Sequence, residues 1–418
     1  VVVVAPPGRP ELPADYLADW GPDAFHIAAY APAARHILPP VRLLPSAYPQ
    51  NDPAARHVYE TTLTVHQPGT YALNGELEYS NWDWLLAAKD EVQAYTMLRK
   101  AVNTLGVPSF TVAGKAPALP ACGSHSDMFH GYWKRVDHVT HPFPDDWSFT
   151  WQPYSCDLVV TDLQKCLQHK NIQVLGDSNT RRHIKLLVTN DKWAADPNSD
   201  LQCEDDHSAE PQSFDIHWPD YLNTCMAKEP LVFGLDTSIY MEFIGRLDLG
   251  VFCHWRPLLY DHDPPDSYSK DAQIHGSPRP IPGRPLPDIL FVSIGAWDVA
   301  FSRNISEFTE NVEAFHYALT AAYPSSKFII RLAYTLCCTL EKIGDRRISS
   351  HRVKLYNDIT KRVFKAKNVW FLDPFEMGGR EELLTDYKPC WTNHARVSHM
   401  RLENQVMGNM LCGKSFIR

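Results

Sequence analysis

The sequence predicts an α/β protein in which a parallel sheet flanked by helices follows a small β-sandwich. Two observations carry this reading. Before about residue 112 the apolar residues alternate with period two, and after about residue 122 short apolar runs alternate with stretches of helical spacing. Composition agrees: 418 residues, 44% hydrophobic and 21% charged, describe a globular chain long enough for more than one core.

In the first region, Tyr59, Thr61, Leu63 and Val65 alternate, as do Tyr71, Leu73, Leu77 and Tyr79. Such spacing marks half-buried strands. Gln67-Pro68-Gly69 lies between the runs as a turn, so the pair is expected to form a hairpin. An isolated hairpin is unstable in water. A sandwich of immunoglobulin or filamin type over residues 1–112 is therefore expected. The Ala113–Pro120 segment, rich in Gly, Pro and Ala, reads as a linker, giving boundaries at 1–112, 113–121 and 122–418.

The second region begins its alternation with Ile172–Leu175, a short buried strand leading into a helix from about Arg181. Ile289–Ser293, Lys327–Leu332 and Val369–Leu372 are further strands. Between them Val312, Phe315, Leu319 and Ala322 share one face of a helix over 308–322, and Leu402–Leu411 is a closing helix. This order builds a parallel sheet covered on both faces, with ligands expected at the carboxyl ends of its strands.

A net charge of −9 argues against a nucleic-acid or anionic-membrane binder, which needs a basic field. No apolar run reaches the roughly 18 residues of a membrane span. The start, Val1–Val4 without Met, reads as a processed end, in keeping with a removed signal or anchor. All ten cysteines follow residue 121 and none forms Cys-x-x-Cys, which suits disulfides in an oxidising compartment better than zinc. Asn304-Ile305-Ser306, a glycosylation sequon, points the same way.

Chemistry concentrates at Gly176-Asp177-Ser178-Asn179-Thr180-Arg181, on a strand-to-helix junction. Ser178 there can act as a nucleophile once a base takes its proton, and its N–H at a helix start can hold an oxyanion. The bland alternative is a helix cap by Asp177 or Ser178. Upstream stands Trp151-Gln152-Pro153-Tyr154-Ser155-Cys156-Asp157-Leu158, and Cys122 precedes Gly131-Tyr132-Trp133.

This combination resembles the PC-esterase family of the SGNH hydrolase-like superfamily, over roughly residues 122–412. It is similar to the trichome-birefringence-like O-acetyltransferases and to the neurexophilin-and-PC-esterase proteins, whose sandwich also precedes the esterase domain. The resemblance implies an SGNH-like three-layer domain with Ser178 as nucleophile and, as general base, a His ahead of the last helix. His394 fits by its distance from that helix, and His399 competes. The family has Asp three residues before this His, where this chain has Trp391 for His394 and Arg396 for His399. Asp298, Asp373, Asp386 or a backbone carbonyl would then orient the ring, or the site is a Ser–His dyad. Gly234, after Leu231-Val232-Phe233, is the candidate for the superfamily's oxyanion glycine, with a plain strand-end turn as the equal alternative. The superfamily's Gly-x-Asn site corresponds to Gly295-Ala296-Trp297-Asp298, where an ionised Asp298 cannot donate. Arg181 stands at the family's substrate-positioning arginine.

The expected activity is acyl, chiefly acetyl, transfer to or from a sugar hydroxyl, in the secretory pathway (Golgi lumen) or outside the cell. A transferase needs an acyl donor; neither direction needs a metal or organic cofactor. Two rival readings remain. Asp177 and Asp298 are two carboxylates that can cleave a glycosidic bond, and the fold can be a non-catalytic glycan binder.

Overall fold

The computed structural model describes residues 2–7, 19–44, 56–81, 83–85, 100–102, 106–124, 126–136, 149–188, 231–233, 237–243, 280, 285–301, 305–334, 349–378 and 397–412. The amino-terminal half forms two antiparallel sheets. In the first, β1 (Val2–Pro7) and β4 (Arg42–Leu43) flank β5 (Arg56–Glu60). The second runs β10 (Phe149–Pro153), β9 (Gly131–Arg135), β3 (Ala34–Ile37), β2 (Ala24–Ala31), β6 (Gly69–Tyr79) and β7 (Lys100–Ala101), with β8 (Ser109–Val112) also on β6. Tyr59 of the first sheet meets Phe25 of the second edge-on, ring centroids 5.1 Å apart. Tyr71 and Tyr132 bury in the same apolar cluster.

The expected hairpin does not form. β5 pairs with β1 and β4, whereas β6 pairs with β2, opposing Leu77 to Phe25 and Asn74 to Ala28. Alternation specifies that a strand is half-buried; it does not name the partner. Here Tyr59 and Tyr71 reach one core from different sheets, and residues 61–68 cross between them, with the Thr61 hydroxyl donating to the Pro39 carbonyl at 2.9 Å. The second sheet also continues beyond the 113–121 linker. β9 returns to pair with β3, Arg35 opposite Trp133, and β10 follows it. The composition change marks where the chain leaves β8, not where its last antiparallel strand lies.

The third sheet has the order β12 (Leu231–Phe233), β13 (Thr237–Phe243), β11 (Asn171–Gly176), β14 (Ile289–Ser293), β15 (Lys327–Arg331), β16 (Val369–Leu372). All neighbours are parallel except the edge pair β12–β13. Every residue of β14 is buried, as a strand covered on both faces requires. Leu290 and Val292 face one cluster, with α4 (Ile305–Ala322) and α5 (Ser350–Val363) over it. Ile289 and Phe291 face the other, covered by α2 (Ser178–Val188) and α6 (Val397–Leu411). The short helices α1 (Leu163–Cys166) and α3 (Ala296–Phe301) complete the described set. Along α4, Ile305, Phe308, Val312, Phe315 and Leu319 are buried, a spacing of three and four. Three helices start earlier than expected: α2 at Ser178 rather than Arg181, α4 at Ile305 rather than Phe308, and α6 at Val397 rather than Leu402. His399 therefore lies inside α6, not ahead of it.

Among the described residues there are two disulfides, Cys122–Cys156 and Cys166–Cys412. The second ties α1 to the residue after α6, across 246 positions of sequence. The other six cysteines and Asn304 lie outside the described residues.

Three fully buried histidines make folding pH-dependent. Burial lowers His36 and His183 to about 4 and His351 to about 3, from about 6.5 in an unfolded chain. Below pH 6.5 the unfolded chain takes up protons that the folded chain refuses. Stability is thus fully present above about pH 6.5 and falls as pH drops towards 4, by up to about 1.4 kcal/mol per pH unit for each group. Urea midpoints taken at about pH 7.5, 6 and 5 should move steadily down; a flat profile across that window would refute the assignment.

Candidate active site

β11 ends on Gly176, and the reason for glycine is steric. A Cβ there would sit 2.6 Å from Thr180 Oγ1, because Thr180 folds back over the strand end. Asp177 stops the strand and starts the helix. Its Oδ1 accepts from the Thr180 N–H at 3.1 Å and from the Thr180 hydroxyl at 3.2 Å. This is helix capping, with the carboxylate satisfying donors that lack intrahelical partners. Asp177 is only 3% exposed. Burial raises its carboxyl above the usual range, against the Arg331 charge and the hydrogen bonds from Thr180 and Asn179. Ser178 is the first residue of α2, at the carboxyl end of a central strand and at the positive end of a helix dipole.

Behind this junction lies a buried polar cluster. Arg331, at the end of β15, donates from Nε and Nη2 to both oxygens of Glu403 in α6, at 2.8 and 2.9 Å. Both residues are essentially inaccessible. Burial works to raise Glu403, but Arg331, His183 and His399 outweigh it and hold the carboxylate below its usual range. His183 Nε2 lies 2.6 Å from Asn404 Oδ1, and its Nδ1 is 3.9 Å from Glu403 Oε2. His399 Nε2 is 3.4 Å from Glu403 Oε1, with the Trp133 and Tyr334 rings at 5.8 and 6.2 Å. Burial lowers the His399 imidazole, and Glu403 only partly opposes it. The Tyr334 hydroxyl donates to Asn179 Oδ1, joining the first turn of α2 to the segment after β15.

The sequence candidates distribute as follows. Ser178 and Asp177 share the β11–α2 junction. Gly295, at φ +96°, turns the chain between β14 and α3, and its carbonyl accepts from the Val299 N–H at 2.7 Å. Asp298 sits in the first turn of α3 and is 2% exposed. Asp373, after β16, lies 2.5 Å from Lys361 Nζ and accepts from the Glu376 N–H at 3.2 Å, so it already serves an ion pair and a turn. Arg181 belongs to α2, with its side chain outside the described set. Gly234, Asp386 and His394 also lie outside the described residues.

The Trp151–Leu158 stretch has a bracing role. The Trp151 indole donates to the Met128 carbonyl at 2.8 Å. Gln152 Nε2 donates to the Cys156 carbonyl at 3.1 Å and to Asp157 Oδ1 at 3.0 Å. Cys156 closes the loop onto Cys122. Sequence reasoning missed Arg331, Glu403, His183 and the Tyr334–Asn179 link. One signal was available: Arg331 is a lone charge ending the apolar run Phe328-Ile329-Ile330, and a charge in a buried strand needs a partner.

No family model matches the chain, and no curated protein does. Solved structures share a loose likeness. One is described as a GDSL-like lipase from Parabacteroides merdae, 14% identical over 58% of this chain and 97% of that one, with TM-score 0.30. A carbohydrate esterase family 2 enzyme with a carbohydrate-binding domain, from Corynascus thermopiles (Myceliophthora fergusii), is 10% identical over 98% of both chains, TM-score 0.32. A family two carbohydrate esterase from Clostridium thermocellum, in complex with cellohexaose, is 12% identical over 94% of this chain and 89% of that one, TM-score 0.29. Likeness at this level identifies neither a family nor an activity.

Removing one partner of the buried pair leaves the other charge stranded. Arg331→Met should therefore cost about 3–5 kcal/mol, while the double change Arg331→Met with Glu403→Leu should recover much of that loss. Denaturant unfolding of both variants checks this, and equal losses would show that the ion pair is not what the site depends on.

Proposed function

We propose that this protein is an acyl-transfer enzyme acting on sugar esters, with Ser178 as nucleophile and His394 as general base. The observation that carries the reading is the division of labour at the β11–α2 junction. Gly176, Asp177 and Thr180 account for the turn and the cap, and Ser178 stands as the first helical residue at the carboxyl end of a central strand. Its N–H belongs to a helix start, which favours a developing negative charge.

In this reading Ser178 Oγ attacks the ester carbonyl carbon while His394 takes the hydroxyl proton. The Ser178 and Gly234 N–H groups hold the tetrahedral oxyanion. Collapse breaks the bond to the sugar oxygen, which leaves with the proton from His394. Water then releases the acyl group as a carboxylic acid, or a second sugar hydroxyl accepts it. Asp298 and Asp386 are the carboxylates suited to orient His394, because Asp373 is paired with Lys361. Arg181 and Gly295 take the substrate-positioning and oxyanion places. In this reading the two antiparallel sheets are the sandwich that accompanies the catalytic unit, with β9 and β10 added to it from beyond the linker. Two disulfides suit a secretory or extracellular setting. A glycosidase using Asp177 and Asp298 has less support, since Asp177 is buried and engaged in the cap.

Ser178→Ala should abolish hydrolysis of para-nitrophenyl acetate and of an acetylated oligosaccharide, with a stability change of no more than about 1 kcal/mol. Retained ester turnover sinks the nucleophile, and release of reducing sugar by the variant supports the glycosidase instead.

His394→Ala should lower turnover by about 10²–10⁴ with little change in melting temperature. His399→Ala should instead lower the melting temperature, because His399 is buried against Glu403, Trp133 and Tyr334. The opposite pattern would transfer the base to His399.

A further inference from the structure

A cavity of about 290 Å³ lies where the antiparallel sheets meet the carboxyl end of β16. Ligand pockets run from about 300 to 1,000 Å³, so this one suits a small ligand. It is remote from the proposed nucleophile. β11 and β16 are separated by three strand intervals in the sheet order, or roughly 14 Å at about 4.8 Å per interval.

Chain geometry keeps the cavity in place. Gly378, at φ +72°, brings the turn after β16 against Ile37 at the end of β3, where an added Cβ would come within 2.6 Å. The Trp133 indole donates to the Met377 carbonyl at 2.7 Å, holding the same turn to β9.

The lining selects a class of ligand by charge. The carboxylates of Asp127 and Glu376 would repel an anion, and no Lys or Arg is among the described lining residues. A cation is also poorly served, because both carboxylates already face cationic groups. Asp127 Oδ2 lies 2.7 Å from His130 Nδ1. Glu376 lies 3.7 Å from His130 Nε2, 3.7 Å from Lys354 Nζ and 4.0 Å from Lys361 Nζ. The Asp127 carboxylate holds the His130 imidazolium above its usual range, and Asp373 adds a further negative charge. What the surface offers is carboxylate acceptors, the imidazoles of His66 and His130, and the hydroxyls of Thr62 and Thr64. Pro39, Pro40 and Phe375 form an apolar wall. Hydroxyl groups that both donate and accept match the polar set, and C–H faces match the wall. We infer that this cavity binds a neutral, polyhydroxylated ligand, a sugar residue, at a site separate from Ser178.

The test is titration calorimetry on the full-length Ser178→Ala protein, which cannot process an ester by the proposed route. The probes are cellohexaose, xylohexaose and mannohexaose at millimolar concentration, with inorganic phosphate and spermidine as charged competitors. At least one oligosaccharide should bind. Adding Thr64→Trp, a change at an exposed rim position, should weaken binding about tenfold or more, and Glu376→Gln should do the same by removing an acceptor. Thr64→Trp should leave the melting temperature unchanged, so the result stands even where Glu376→Gln destabilises the fold. Binding by none of the three, binding indifferent to both substitutions, or displacement by phosphate or spermidine overturns the assignment. Loss of para-nitrophenyl acetate turnover in Ser178→Ala tests the nucleophile separately, so the two readings fail independently.

Discussion

The buried pair between Arg331 and Glu403 is the constraint around which the parallel-sheet half is arranged. Each ion loses its water, at a cost of several kcal/mol, and only a two-point geometry with further polar neighbours offsets this. Arg331 ends β15 and Glu403 lies on α6, so the pair requires the last helix to sit at one register against the sheet. The Cys166–Cys412 bridge fixes the far end of that helix. With α6 set, His183, His399 and Asn404 fall into the same polar layer, and the Arg331 charge reaches Asp177 beneath the start of α2. The position of Ser178 is thus coupled to a strand and a helix far from it in sequence.

A second constraint is the seam between the antiparallel and parallel sheets. Trp20, Ala24, Tyr79 and Trp84 from the first half share a core with Leu290, Val353 and Tyr356 from the second. Arg352, fully buried in α5, donates to the carbonyls of Val299 and Leu85, and the Ser350 hydroxyl donates to Glu78. A seam closed by hydrogen bonds and aromatic packing behaves as an interior rather than a hinge. The cavity lined by Asp127 and Glu376 lies along it, assembled from segments that no single element carries. Ligand sites are common where structural units meet, because two surfaces that pack imperfectly leave a pocket with side chains from both.

The sequence by itself determined the element types of β11, β14, β15 and β16 and of α2, α4 and α6, but not of β13 or α5. Ile289–Ser293 and Val369–Leu372 match their strands, and α4 follows the spacing of Phe308, Val312, Phe315 and Leu319, because a strand or helix buried by its neighbours must show its period in its own apolar residues. The Gly176–Arg181 junction was legible for the same reason: a turn, a cap and a helix start are local chemistry. Only the tertiary structure decided which strands pair. Tyr59 and Tyr71 carry the same period yet belong to different sheets, and β9 and β10 join a sheet that composition had closed at residue 112. The tertiary structure also decided that Asp177 rather than Ser178 is the cap, that His399 lies inside a helix, and that Arg331 finds Glu403. Pairing and charge compensation depend on residues brought together from 72 positions apart in that last case, and such proximity leaves no periodic trace in the chain.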